Sequence, residues 1–211
     1  MIDQLLNEIL AGRRATVDEF IEILGTTFPL LNDFRNTPQD AEWHAEGDVH
    51  IHTDMVLDEC YDLLEEARID GHSENELKAL VLSALLHDIA KPVTTKEVWR
   101  DGRRCFICPQ HEEMGMNYLF PRILALDLAD EIKVKCCQLV AYHQMPKRIL
   151  MRNPSESAFA RLSRQVDLRL LYYLELADMS GRICKDWDEQ VEWIELFGDE
   201  VEERGLWGED A

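Results

Sequence analysis

The residue pair in this sequence best suited to chemistry is His87–Asp88, which follows an apolar run in the segment Leu80–Pro92, LVLSALLHDIAKP. Apolar residues recur here at helical spacing, and Asp88 continues their stripe, so both polar side chains are predicted to face the interior. A buried imidazole and a buried carboxylate are costly unless a hydrogen-bonded partner or a metal ion satisfies them. Pro92 is predicted to end this helix. Lys91 would then lie at its C-terminal end, either beside the pair or simply as a cation that stabilises the helix dipole.

Further histidines and aspartates begin or end apolar helical stripes elsewhere in the chain, namely His52, His111, His143 and Asp178. Taken singly, each is more often a core or surface side chain with a hydrogen-bond partner than a metal ligand. Helices that converge at one end of a bundle can bring such positions together around metal. The six residues, His87 and Asp88 included, therefore indicate a metal site if their helices meet.

The N-terminal part of the chain precedes the helices that must position these residues. Its apolar pattern predicts two amphipathic helices, residues 2–11 and 17–31, packed outside the core. A loop over residues 36–47 follows, because Pro38 and Gly47 interrupt the helical pattern. Trp43 in this loop is either a lid over a site or a plug over the core, and a plug is the expectation.

The helix that carries His52 is predicted to begin after Asp48, whose carboxylate can cap it. His52 heads the apolar stripe and faces inward, whereas His50 is expected to be exposed. Gly71 is predicted to end this helix, and Ser73–Glu76 resembles a capping box for the next one.

The second half of the chain is predicted to be helical after one interruption. Residues 93–108 break the helical period, and Asp101–Gly102 lies between two short β-compatible runs, which is a hairpin signal. His111 then begins a helix, His143 follows the apolar stripe of the next, and Asp178 ends the stripe of a later one. The predicted fold class is therefore all-α, a helical bundle with at most a small hairpin near residues 95–107.

Composition predicts an ordinary soluble globular protein of 211 residues, 46% hydrophobic and 30% charged, most simply one domain over residues 1–211. The six cysteines show no regular framework. Together with the lack of a signal peptide or an apolar run of transmembrane length, this predicts a cytoplasmic protein that does not engage a membrane.

The formal net charge of -20 argues against a protein that coats duplex nucleic acid, because phosphate backbones are bound by basic surfaces. Charge is nevertheless segregated. Residues 147–169 hold six basic side chains against two acidic ones, whereas residues 183–211 hold eleven acidic against two basic. The basic stretch is either a solvated face or a local field that draws a small phosphorylated molecule to a site entrance.

Several sequence motifs carry a family resemblance: WHAEGDVHIHT at 43–53, LLHDIAKPVT at 85–94, HEEMG at 111–115, YHQMP at 142–146 and LADMSGR at 176–182. In this order they resemble the HD superfamily of metal-dependent phosphohydrolases. Within it they are most similar to the HD domain of bacterial CCA-adding tRNA nucleotidyltransferases and its stand-alone relatives. The motif core spans residues 43–182, and no nucleotidyltransferase domain precedes it, so the tRNA-extending activity of those enzymes is not expected.

The resemblance implies a role for each candidate residue. One divalent cation would be held by His52, His87, Asp88 and Asp178, and a second by His111 and His143 with Asp88 bridging. Mixed imidazole and carboxylate ligands suit Mn, Fe, Co, Ni or Zn better than Mg. Asp88 and Lys91 would then be catalytic, and Lys91 and Arg182 would contact substrate phosphate.

The implied activity is hydrolysis of a phosphate mono- or diester, most simply a nucleotide. Two alternatives remain open: a di-iron oxygenase, because that branch of the superfamily uses the same six ligands, and a non-catalytic nucleotide-binding regulatory module. A competing metal site is the spacing Cys105-x2-Cys108-x2-His111, but no second ligand pair follows at a suitable distance.

Overall fold

The computed structural model describes residues 1–152 and 154–207. In chain order its elements are α1 (Ile2–Leu10), α2 (Val17–Leu24), a 3₁₀ helix (Pro29–Asn36), α3 (Val49–Ile69), α4 (Glu74–Leu86), α5 (Lys91–Thr94), β1 (Lys96–Arg100), β2 (Arg103–Ile107), α6 (His111–Ile123), α7 (Asp130–Tyr142), α8 (Met145–Met151), α9 (Glu156–Leu162), α10 (Leu168–Ser180) and α11 (Trp187–Glu203). The predicted all-α class with one small hairpin is confirmed.

Helix α4 is the centre of the bundle. Every residue from 77 to 86 is buried, including Ser83, whose hydroxyl donates to the carbonyl of Ala79. A helix that is buried on all sides must be surrounded, and α3, α7 and α10 pack around it, with α1 at its N-terminal side. Ser73 caps α4 through the predicted capping box with Glu76.

The hairpin forms where the sequence predicted it. Strands β1 and β2 pair antiparallel, with Arg100 opposite Arg103 across the Asp101–Gly102 turn. Both turn residues have positive φ, 50° and 78°, which a two-residue hairpin turn of this hand requires and which Asp and Gly tolerate.

Two predicted helices end earlier than expected, and in each case the chain turns before a proline. The helix predicted over 17–31 stops at Leu24, and Pro29 begins a separate 3₁₀ helix. The helix predicted to run to Pro92 stops at Leu86. Pro92 instead lies in the first turn of α5, where its missing N–H is no loss. Lys91 therefore begins a helix rather than ending one.

Two expectations about single residues are also corrected. His50 is buried rather than exposed, because its Nε2 lies 3.1 Å from the Asp18 carboxylate of α2. Trp43 is 40% exposed, so it does not plug the core. On α11, Trp187 and Leu196 are exposed, whereas Phe197 is buried.

Candidate metal centre

Six buried histidines and aspartates meet at one end of the bundle. Five elements or their ends supply them: the first turn of α3, the turn after α4, the start of α6, the end of α7 and the last turn of α10. They are the six residues singled out in the sequence, His52, His87, Asp88, His111, His143 and Asp178.

The turn after α4 places the His87–Asp88 pair close to His52 and Asp178. It is tightened by an i+3 bond in which the amide of Lys91 donates to the carbonyl of Asp88, 2.9 Å away. Oδ2 of Asp88 lies 3.2 Å from Nε2 of His87 and 3.7 Å from Nε2 of His52. One donor atom from each of these three residues lies within 4.8 Å of the other two. Asp178 completes this side, with Oδ1 3.0 Å from Nε2 of His52.

A second group shares the Asp88 carboxylate. Its other oxygen, Oδ1, lies 3.3 Å from Nε2 of His111, and Nε2 of His111 lies 3.1 Å from Nε2 of His143. Asp88, His111 and His143 likewise place one donor atom each within 4.8 Å of the others. The two oxygens of one carboxylate thus face two separate groups of imidazoles, which is the arrangement of a bridging ligand.

Backbone carbonyls fix the tautomer of each imidazole. Nδ1 of His87 donates to the carbonyl of Ala84, and Nδ1 of His143 to the carbonyl of Val140, three residues back in both cases. These are end-of-helix carbonyls that lack an intrahelical partner, so a histidine just past the helix satisfies one while its ring is held in place. Nδ1 of His111 contacts the carbonyl of Cys108, and Nδ1 of His52 the carbonyl of Gly181.

With Nδ1 donating, the Nε2 of a neutral ring presents a lone pair to the centre of the cluster. Nε2 of His52 and Nε2 of His87 are buried and have no hydrogen-bond partner of acceptable geometry among the described residues, and Oδ2 of Asp88 has only an ion pair with Lys91. Facing lone pairs and carboxylate oxygens repel one another unless a cation lies between them. The cluster therefore fits divalent cations, and its nitrogen and oxygen donors fit transition metals.

Electrostatics within the cluster favour ionised carboxylates. Burial opposes the charged form of Asp88, but His87 and Lys91 outweigh it and hold its pKa well below the usual range. Burial likewise opposes ionisation of Asp178, and Arg182 lowers its pKa well below the usual range. Burial and the neighbouring His111 lower the pKa of His143, so that ring stays neutral, as a metal ligand must.

Lys91 and Arg182 both lie at the cluster and are engaged with its carboxylates. Nζ of Lys91 lies 2.6 Å from Oδ2 of Asp88 as an ion pair, and it donates a hydrogen bond to the side chain of Gln39. Arg182 holds Asp178 through two bonds, with Nε 3.1 Å from Oδ1. Both residues also line a cavity beside the cluster.

A cavity of about 240 Å³ opens beside the cluster. Its lining residues are Gln39, Asp40, Trp43, His44, Lys91, Phe106, Cys108, His111, Gln144, Lys147 and Arg182. His111 joins it to the six-residue cluster, and three cations lie on its walls. A small anionic molecule in this cavity would therefore touch the cluster.

Two residues of the site were missed by the sequence reasoning, Glu46 and His44. The Glu46 carboxylate accepts from Nδ1 of His44 at 2.8 Å, lies 3.2 Å from Nδ1 of His52, and accepts from the amide of Ile183. Burial opposes its charge, but the contacts with His44 and His52 lower its pKa. A carboxylate behind a ligating histidine orients the ring and raises its basicity. The spacing of His44, Glu46 and His52 was visible in the sequence, but the motif was used there only as a family signature.

The competing cysteine site does not assemble. Sγ of Cys105 contacts the backbone of Arg103, Sγ of Cys108 contacts Thr95, and His111 faces Asp88. In the described part of the chain, the groups of donor atoms close enough to share a metal ion contain no cysteine.

Comparison with known proteins agrees with this geometry. The HD domain family profile matches residues 49–189, about two thirds of the chain. This chain belongs to the HD domain family. The family resemblance stated from the sequence words is confirmed, and with it membership of a superfamily of metal-dependent phosphohydrolases.

Curated relatives of this HD domain protein include Multifunctional CCA proteins from several bacteria. The one from Hahella chejuensis is 29% identical over 126 residues, which cover 58% of this chain and 25% of the relative. The one from Psychromonas ingrahamii is 24% identical over 118 residues, 56% of this chain and 25% of the relative. The one from Shewanella frigidimarina is 38% identical over 72 residues, 34% of this chain and 15% of the relative. The matched part thus spans a quarter or less of each relative. In the described residues, no helix is both long and apolar enough to cross a membrane.

Proposed function

We propose that this protein is a metal-dependent phosphohydrolase that cleaves a phosphate ester, with a nucleotide as the substrate. One observation carries the proposal: four imidazoles with Nδ1 fixed by backbone carbonyls turn Nε2 toward two ionised carboxylates, beside a cavity lined by cations. That combination supports metal binding and phosphate binding at one place.

In this proposal His52, His87 and Asp178 hold one cation, and His111 and His143 hold a second. Asp88 would contribute to both. Such a mixed set of nitrogen and oxygen ligands favours Mn, Fe, Co, Ni or Zn over Mg, which prefers an all-oxygen shell.

When bound, two such cations supply a water of lowered pKa near neutral pH and neutralise charge on the phosphate that is attacked. Asp88 would be the ligand that the two cations share. Lys91, whose ammonium already lies beside Asp88, donates to a phosphate oxygen as a point charge. Arg182 orients Asp178 and adds positive charge to the cavity wall.

The charge pattern supports a small phosphorylated substrate rather than duplex nucleic acid, since the net charge is -20. We place the protein in the cytoplasm, where its six cysteines, all free in the structure, would stay reduced. A regulatory module that only binds nucleotide is not favoured, because the six-residue set is complete.

The test combines metal analysis of the purified protein with a hydrolysis screen. Nucleotides, 2′,3′-cyclic nucleotides and simple phosphate esters are each assayed with Mn, Co, Ni and Mg under air and under argon. We expect bound transition metal and phosphate release that is independent of oxygen. His87→Ala and Asp88→Ala should lose at least about a hundredfold in kcat/KM, whereas Asp127→Ala, an exposed carboxylate on a loop, should not.

Two outcomes would reject the proposal. Variants of His87 and Asp88 that fold but keep full activity would place the chemistry elsewhere. Turnover that requires iron and oxygen would identify an oxygenase.

A further inference from the structure

The three cations on the cavity wall are not equivalent. Lys91 is paired with Asp88, and Arg182 is paired with Asp178, so each already has a carboxylate partner. Lys147, at the start of α8, has no such partner. Among residues 1–152 and 154–207, the one hydrogen bond of its ammonium goes to the neutral amide oxygen of Gln190, 2.5 Å away.

The position of Lys147 is nonetheless well defined. Its ammonium lies 5.2 Å from the centroid of the Trp43 ring, within range of a cation–π contact. Gln190 of α11 holds it from the other side. The loop before α3 and the terminal helix thus aim this lysine at the cavity, into which Trp43 also faces.

This arrangement costs free energy while no anion is bound. Lys147 is half-buried, and burial together with the nearby Arg182 charge lowers its pKa. A cation withdrawn from water next to another cation is unfavourable until a negative group compensates it. Most other bases of the 147–169 stretch avoid this cost, since Arg161 and Arg164 are exposed and Arg148 pairs with Glu112.

We infer that Lys147 is the substrate-anchoring residue of this site and binds the phosphoryl oxygens of an incoming phosphate ester in the cavity. This inference rests on the proposed function, since the same cavity serves both. It goes further by naming the cation that recognises the anion, a role that the sequence reasoning gave only to Lys91 and Arg182. It also assigns Trp43 as the ring that holds the lysine in place.

The experiment measures binding of inorganic phosphate to the metal-loaded protein by titration calorimetry, with the metal content of every variant checked. A charge-assisted hydrogen bond in a half-buried site predicts a Kd about ten- to a hundredfold weaker in Lys147→Met. Arg164→Met removes one positive charge from the same basic stretch at an exposed position, and it should bind phosphate as the wild type does. Lys147→Arg should retain most of the affinity.

The outcomes separate this inference from the proposed function. If Lys147→Met carries the same metal and binds phosphate as tightly as the wild type, the inference is overturned, even if the protein hydrolyses esters. If phosphate binding depends on Lys147 but no ester is cleaved, the inference stands and the proposed function fails. Should Lys147→Met not fold, Lys147→Gln compared with Lys147→Arg provides the same contrast in charge.

Discussion

At the scale of single residues, each candidate histidine ligand is oriented by the group that accepts a hydrogen bond from its Nδ1. The imidazoles gain their orientation from backbone carbonyls, and two of those carbonyls are the orphan groups of helix ends, at Ala84 and Val140. His52 is held in addition by the buried Glu46 carboxylate. Ligand strength at this end of the bundle therefore depends on residues that would not touch the metal.

Glu46→Gln tests that dependence. Glutamine keeps an oxygen that can accept from Nδ1 of His52, but it removes the negative charge that makes the ring a stronger ligand. We expect metal affinity to fall about ten- to a hundredfold, with the fold retained, as titration calorimetry with Co²⁺ would measure. Glu42→Gln is the matched control, since Glu42 lies in the same loop but pairs with Arg103 at the surface. Equal affinity in both variants would mean that Glu46 has no role in positioning His52.

Glu175 provides a pH-dependent prediction. Its side chain is fully buried on α10, and neither carboxylate oxygen has a hydrogen-bond partner in the described part of the chain. Burial, reinforced by the charge of Asp178, raises its pKa well above the ordinary 4.5. Above pH 4.5 the folded state thus keeps a proton that the unfolded state has released, so stability is lost as pH rises through the raised pKa.

Glu175→Gln removes this loss, because an amide does not ionise. In protein stripped of metal, we expect the variant and the wild type to unfold at similar denaturant concentrations near pH 4.5. The variant should become the more stable as pH rises toward 8, by at most ~1.4 kcal/mol per pH unit. Urea unfolding at a series of pH values measures the difference, and the exposed Glu189→Gln should show no such trend. A constant difference at all pH values would contradict the assigned ionisation.

At the scale of elements, close contact between α3 and α10 brings His52 and Asp178 together. Gly181, just after α10, makes that contact possible, because a Cβ there would lie 2.8 Å from the backbone nitrogen of Val56. The carbonyl of Gly181 also accepts from Nδ1 of His52. This glycine is required for close approach rather than for an unusual backbone angle.

Gly181→Ala should therefore push α3 and α10 apart. A clash with backbone in a packed core costs about 1–3 kcal/mol of stability, and metal affinity should fall with it, because His52 and Asp178 move relative to each other. Thermal unfolding and metal titration would measure the two effects. Ser180→Ala, one residue earlier, adds no bulk and is the control. If Gly181→Ala lowers the melting temperature but leaves metal affinity unchanged, the spacing of these helices does not set the site.

At the scale of the whole molecule, the cluster joins five elements that are distant in sequence, so a metal ion bound there would cross-link the bundle. Ligands that bind only the folded state stabilise it by mass action, about 2.7 kcal/mol at a hundred times Kd. For a chain of this size that corresponds to a rise in melting temperature of roughly 5–10 °C.

Scanning calorimetry with saturating Mn²⁺ or Co²⁺ should show this rise, and EDTA should reverse it. Asp88→Asn should abolish it, because the bridging charge is lost for both proposed ions. The same metals should have no effect on stability if the six residues form only a hydrogen-bonded structural cluster.

Much of the fold followed from local rules. Three features each have a cause within a few residues and could therefore be predicted from the sequence: the helical periodicity, the capping box at Ser73–Glu76 and the Asp101–Gly102 turn. Errors arose where two local tendencies competed. The apolar stripe before His87 favoured a longer helix, but the turn at 87–90 ended it before Pro92 could.

The sequence by itself determined which residues could bind metal, because imidazole and carboxylate groups at the ends of apolar stripes are recognisable by type and spacing. Only the tertiary structure decided that Asp88 faces two groups of histidines, that Glu46 stands behind His52, and that Lys147 alone of the cavity's three cations lacks a carboxylate partner among the described residues. The physical reason is that these are distances between elements far apart in the chain. Such distances depend on how helices pack around α4, and no local pattern encodes them.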